Sequence, residues 1–234
     1  MQIFDIPINS KRMETTRIGT FDFPLAVHEN DLKKNVLGFV NWHWHYEFQL
    51  TYVVRGTISV FFNQQTIDLH EGQGIYINPE VLHMIRDRYD SDAMFISLDV
   101  SPKLLTSFPN SVFERSYVKP VFCSSAADAV ILDPGVFWQK KILDEAMSIE
   151  QDYKSRSFGW ELAVSSSLYA IWKELVCHLH ESLAEHDAPA ADGARMRRNQ
   201  RIKEILSYIR EHFTEKITLD EIAKHLHLST NECC

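Results

Sequence analysis

With 234 residues, 45% hydrophobic and 12% aromatic content, the chain can bury one large core or two smaller ones. No apolar run approaches the roughly eighteen residues needed to cross a bilayer, and MQIFDIPINSKRMETTRIG has no signal-peptide core, so a cytoplasmic protein with no membrane partner is expected. The net charge of −8 is uneven, with 16 Lys+Arg against 26 Asp+Glu in residues 1–194 and 8 against 6 in residues 195–234, which argues against non-specific nucleic-acid binding by the front of the chain.

Cys123, Cys177, Cys233 and Cys234 form no CxxC pair, so neither a disulfide framework nor a zinc site is expected. From Phe39 to about Val100 the signals are those of short strands: FVNWHWHYEFQLTYVVRG, TISVFFN, QTIDLH, GQGIYINP, LHMIRD and AMFISLDV, separated by Gly, Asn, Pro and Asp. Their regular spacing predicts an antiparallel sandwich or barrel.

Within the first of these strands, alternate side chains face opposite ways. Tyr46, Phe48, Leu50, Tyr52 and Val54 fall on one face, and His43, His45, Glu47, Gln49 and Thr51 on the other. His83 follows Pro79 by four residues and supplies a second polar element. We read His43, His45, Glu47, Gln49 and His83 as ligand-binding residues facing an internal cavity, with Tyr76 beside them. Trp42, Trp44, Tyr46, Tyr52, Phe62 and Tyr76 are candidates for the cavity wall or for the surrounding core. Arg55 and Arg86 are open to two readings, contact with an anionic effector or a place on the surface.

Further along, Trp138, Ile142, Ala146, Ile149 and Tyr153 follow helical spacing, as do Leu168, Trp172, Leu175, Leu179 and Leu183, with a break at Ser155 to Gly159. This predicts an antiparallel helical hairpin over 136–186, which either packs on the barrel or pairs two chains. Residues 187–199 lose that periodicity and concentrate Ala, Pro, Asp and Gly, as a linker does. The basic group Arg195, Arg197, Arg198 and Arg201 either touches phosphate or is a solvated linker end.

In residues 200–234, Ile202, Ile205, Leu206, Ile209 and Phe213 predict a support helix. Thr218 with Glu221 is a capping box opening a short helix with Leu219, Ile222, Ala223 and Leu226 on one face. After a turn at His227 and Leu228, Ser229 with Glu232 repeats the pattern, so another helix is expected near Thr230. A short helix, a tight turn and a second helix is the arrangement that reads DNA.

ITLDEIAKHLHLS resembles the opening of the first helix-turn-helix of the AraC family of bacterial transcription regulators, and HWHYEFQLTYVVRG followed by EGQGIYINPEVLH resembles the paired motifs of the cupin barrel found in the sensor domains of that family. The resemblance implies a mainly β, cupin-like barrel over 1–135 followed by α-helices, and an incomplete, all-α DNA-binding unit at the end, as in a C-terminally truncated regulator. It also implies a small-molecule effector, DNA as a partner of the full-length protein through Ser229, Thr230 and Asn231, and a homodimer. In cupins that bind metal, two histidines two apart, a carboxylate and a third histidine hold the ion. His43, His45 and His83 match that set, but Gln49 stands at the carboxylate position and an amide brings no charge. Glu47, on the same face, is a possible substitute. With no nucleophile elbow, phosphate loop or zinc-protease motif, the adopted reading is a sensor with no catalytic residue, no cofactor and no metal. The alternatives are a metal-dependent cupin enzyme and a shortened regulator acting through dimerisation.

Overall fold

A computed structural model describes residues 6–185 and, beyond them, residues 201, 204–205, 208–209, 212, 217–226 and 229–230. The expected linker over 187–199, Arg195, Arg197, Arg198, Asn231 and Glu232 lie outside the described residues, as does the side chain of Leu183.

Nine strands are described: β1 (Leu25–Asp31), β2 (Phe39–His43), β3 (Phe48–Arg55), β4 (Thr57–Phe62), β5 (Gln65–His70), β6 (Gly74–Ile77), β7 (His83–Asp87), β8 (Met94–Val100) and β9 (Ala129–Leu132). They form two antiparallel sheets, β1-β8-β3-β6-β9 and β2-β7-β4-β5, the double-layered sandwich that a cupin-like domain requires. The single strand expected from His43 to Val54 is in fact two. β2 pairs with β7 in one sheet, while β3 pairs with β6 and β8 in the other, so Trp44 to Glu47 must cross between the layers. β1 and β9, which sequence reasoning did not mark, add a strand to each edge of the larger sheet.

Both faces of that five-stranded sheet are covered. Register decides which side chain goes where, because residues directly opposite in neighbouring strands share a face. Gln49 is opposite Asp99 and Ile77, and Thr51 opposite Ser97 and Ile75; these point between the two sheets. Leu50 is opposite Leu98 and Tyr76, and with Phe48, Tyr52 and Val100 it points outward into a second core.

Helices close the second core. The short α1 (Lys103–Thr106) and α2 (Lys119–Cys123) lead into β9, after which α3 (Phe137–Ser155) and α4 (Trp160–Glu185) form the expected hairpin. Ile142, Ala146, Ile149, Leu168, Trp172 and Leu175, the heart of the two apolar stripes, are buried against the outer face of the sheet. The stripes are therefore used within the chain. Trp172 is the central anchor: its ring lies 5.5 Å from Phe48, 5.4 Å from Phe122 and 6.2 Å from Tyr76, and its indole N–H donates to the Tyr117 carbonyl at 3.2 Å. Gly74 lets α3 approach β6, since a Cβ there would stand 2.8 Å from a Leu143 methyl and 2.4 Å from the Thr51 carbonyl oxygen.

Arg156, with φ of 50°, ends α3 in the left-handed conformation, and its guanidinium covers the rings of Tyr153 and Trp160 at 4.1 and 4.0 Å. Among the described residues no helix is long and apolar enough to cross a membrane.

In the C-terminal segment the first expected cap is present. Thr218 Oγ1 accepts from the Glu221 amide at 3.3 Å and the Glu221 carboxylate accepts from the Thr218 amide at 2.8 Å, starting α5 (Leu219–His225) with Ile222 and Ala223 buried. Ser229 and Thr230 are exposed, and Thr230 Oγ1 donates to Asp220 at 2.9 Å.

Candidate ligand site

The site starts with a hairpin in the N-terminal arm. Asn9 turns the chain by accepting from the amides of Lys11 and Met13, and Arg12 takes a positive φ of 62°. The returning limb pairs with the segment that crosses between the sheets: Trp44 N–H donates to Arg12 O at 3.0 Å and Glu14 N–H to Trp44 O at 2.9 Å, while the Trp44 indole donates to Lys11 O at 2.7 Å. These bonds drive the Glu14 side chain inward until it is 4% exposed, with Oε2 3.7 Å from His43 Nε2.

The end of β2, the crossing segment and the start of β7 then bring three imidazoles together. Ring centres are 4.2 Å apart for His43 and His83, 5.3 Å for His45 and His83, and 5.6 Å for His43 and His45. Each Nδ1 faces a carbonyl, that of Asn41 at 2.8 Å, Glu47 at 2.9 Å and Val81 at 2.9 Å respectively. A carbonyl only accepts, so Nδ1 carries the hydrogen and Nε2 presents a lone pair to the cluster. Among the described residues His45 Nε2 and His83 Nε2 have no hydrogen-bond partner, and the Glu14 carboxylate has the Thr16 hydroxyl near it.

Burial keeps these bases neutral. It pushes His45 down to about 4 and His83 to about 3, with the His45 imidazole adding to the effect at His83, and with the imidazoles of His83 and His45 it holds His43 well below the ordinary histidine value. Several lone pairs turned toward one another in a buried site, with a carboxylate beside His43, make a donor set suited to a cation. One ligand atom from each of the three histidines lies within 4.8 Å of the others, and imidazole suits zinc, copper, iron and nickel. The chemistry of the donor set fits a metal ion.

A cavity of about 20 Å³ adjoins the cluster, lined by Glu14, His28, Asn30, His43, Gln49, Ser97 and Asp99 with apolar walls from Ile6, Val40, Ile85 and Phe95. Gln49 Nε2 donates to Asp99 at 3.0 Å, Asn30 Nδ2 donates to Ser97 Oγ at 3.3 Å, and His28 Nε2 is 3.4 Å from Asp99. Burial lifts Asp99 far above the usual carboxylate range and, together with the charge of Asp99, does the same to Glu14. Two acids facing one buried space ionise together only at a cost, which favours the protonated form of the pair. Burial also drives His28 down to about 4.

Of the residues singled out in the sequence, His43, His45, Gln49 and His83 converge here. Glu47 reaches the cluster through its backbone carbonyl; its carboxylate is 3.9 Å from His45 Nδ1, on the far edge of that ring. Tyr76 is the correction. Opposite Leu50 in the register, it faces the helices, and its hydroxyl donates to Asn78 at 2.7 Å. The aromatic wall is also absent from the cavity: Trp42 lies against Phe61, Trp44 against the hairpin, Tyr46 is exposed, Tyr52 faces α3, and Phe62 packs in the inner apolar core. Arg55 pairs with Asp92 at 3.2 Å, and the exposed Arg86 covers the Phe61 ring.

Glu14, His28, Asn30, Ser97 and Asp99 were not singled out. Ser97 and Asp99 were legible from alternation with Ile96, Leu98 and Val100, and His28 and Asn30 from alternation in LAVHEND. Glu14 carries no periodic signal.

A double-sheet domain with an enclosed polar interior and a helical outer layer defines the class as a cupin-like ligand-binding module. Residues 35–135 match the family model described as AraC-like ligand binding domain. The chain is 33% identical over 234 residues to the uncharacterized HTH-type transcriptional regulator YdeC of Bacillus subtilis (strain 168), covering 100% of this chain and 76% of that protein. The chain thus belongs to the AraC-type family of helix-turn-helix transcription regulators. Among solved structures, the AraC-like transcriptional activator CuxR matches with 12% identity and a TM-score of 0.39, over 79% of this chain and 58% of that one. A cupin 2 conserved barrel domain protein from Salinispora arenicola CNS-205 matches with 16% identity and a TM-score of 0.26, over 27% and 54%.

Proposed function

We propose that the protein regulates transcription in response to a small effector bound between the two sheets, at His28, His43, His45, Gln49, His83 and Asp99, and that it is not an enzyme. The observation that carries this reading is the small cavity with buried polar side chains inside an AraC-type ligand-binding domain. β3 offers a route for the signal, because it presents Gln49 to the cavity and Phe48, Leu50 and Tyr52 to the helices. The Tyr52 hydroxyl donates to Glu150 of α3, and Lys154 of α3 pairs with both Glu150 and Glu29 of β1. An effector moves such an equilibrium only by binding one arrangement of sheet and helices more tightly than the other.

In this reading the capped α5 supports a DNA-reading helix that begins near Thr230, with Ser229, Thr230 and Asn231 toward DNA, and the protein acts as a homodimer on paired half-sites. Since the apolar stripes of α3 and α4 are spent on the sheet, pairing uses other residues, such as the exposed Leu162 and Tyr169.

The test compares transcript profiles in cells carrying the wild-type gene, a deletion, and a His28→Ala, Gln49→Ala double substitution. A set of transcripts should change on deletion, and the same set should lose its response in the substituted strain. Unchanged transcription on deletion would refute regulation, and a wild-type profile from the double substitution would remove the cavity as the sensor.

A further inference from the structure

We propose that Glu14 is a metal ligand delivered by the N-terminal hairpin, that with Nε2 of His43, His45 and His83 it completes a site for a divalent transition-metal ion, and that this ion is the effector. The effector role rests on the reading of the barrel as a sensor; the ligand set does not.

Four observations carry the assignment. Among the described residues, His45 Nε2 and His83 Nε2 are buried without a hydrogen-bond partner, and the Glu14 carboxylate, near the Thr16 hydroxyl, has Oε2 already beside His43 Nε2 at 3.7 Å. Such orphaned groups are costly unless something binds them.

The two other candidates for the carboxylate are unsuited. Gln49 is neutral and its amide donates to Asp99, while the Glu47 carboxylate lies by Nδ1 of His45, the nitrogen already committed to a carbonyl.

Size is the third argument. The adjoining cavity of about 20 Å³ has room for an ion or one water, whereas pockets for drug-sized organic ligands run to about 300–1,000 Å³.

The fourth is how Glu14 is held. Its amide donates to the carbonyl of Trp44, the residue between His43 and His45, so hairpin and ligand loop are one hydrogen-bonded unit. Metal binding and hairpin seating must then strengthen one another by the same factor.

The experiment uses the purified chain, stripped with chelator and titrated with Co²⁺ alone. Elemental analysis gives stoichiometry, the visible ligand-field spectrum reports the donor set, and trypsin cleavage after Lys11 and Arg12 reports the hairpin. One ion per chain is expected, with cleavage slowed when it binds. Glu14→Gln should weaken binding by at least about 10- to 100-fold, the loss typical even for groups that only orient metal ligands, and should change the spectrum. Glu47→Gln should do neither.

No binding by the wild-type chain overturns the proposal. An unaltered affinity and spectrum in Glu14→Gln, or hairpin cleavage indifferent to a bound ion, overturns the role of Glu14. Because the cleavage measurement uses wild-type protein, it decides even if Glu14→Gln does not fold. Binding through Glu14 combined with a wild-type transcript profile from a Glu14→Gln strain would leave the metal site standing and remove its effector role.

Discussion

Acidification from pH 7 to pH 5 should destabilise the metal-free protein by at least about 2 kcal/mol, an appreciable share of total domain stability. His28 and His45 titrate near 4 in the folded chain and His83 near 3, with His43 held well below its ordinary value as well. Unfolded histidine takes up its proton near 6.5. Between those limits the unfolded state binds more protons, so stability is full above about pH 6.5 and falls as the pH drops.

At pH 5, about 1.5 units below the unfolded value, His28, His45 and His83 each account for about 2 kcal/mol, hence about 6 kcal/mol for the three, and His43 adds to the loss in the same direction. Glu14 and Asp99 oppose this, because their folded values are raised, so they keep a proton that the unfolded chain has released. Their strain is relieved as pH falls, which returns roughly two thirds of that loss and leaves at least about 2 kcal/mol. Below about pH 4.5 that relief ends because the unfolded acids protonate too, and the decline should steepen.

The assay is urea unfolding of chelator-treated protein at pH 7, 6 and 5, followed by tryptophan fluorescence. His28→Gln should recover about 2 kcal/mol of the acid-induced loss. A midpoint unchanged between pH 7 and 5 would refute the picture of four neutral, buried imidazoles.

Two further predictions address the elements around the site. Trp172→Ala should cost about 3–5 kcal/mol in urea unfolding at pH 7, through the cavity left among Phe48, Tyr76 and Phe122 and the lost partner of the Tyr117 carbonyl, and a loss below about 1 kcal/mol would mean α4 is not anchored there. Thr218→Ala should destabilise α5 by about 1 kcal/mol, seen as faster amide hydrogen exchange at Glu221, with Thr218→Ser restoring protection; equal exchange in all three would show that the cap is idle.

Much of the sandwich was readable because turn residues punctuate strands whose side chains alternate. The break after His43 was not, since alternation continues smoothly through Trp44 to Gln49 and nothing local tells a strand to change partners. The three histidines were legible as a spaced set, and Gln49 by the alternation within β3. Tyr76 was misassigned because β6 is only four residues long, and parity becomes informative only once its register against Leu50 is known. Glu14 reaches the site through backbone pairing with Trp44, a long-range contact that leaves no trace in the composition around it.

The sheet shared by two cores has a consequence for how such proteins diversify. On an ordinary surface strand every second position drifts almost freely, since exposed substitutions usually change stability by less than about 0.5 kcal/mol. β3 has no such positions from Phe48 to Val53, because one face answers to the interior and the other to α3 and α4. Novelty in what is recognised must therefore enter from the margins, at His28 and Asn30 on the edge strand β1, or through a hairpin joined to the rest by a few bonds at Trp44. Exchanging that hairpin would alter the chemical input of a lineage while leaving its output machinery unchanged.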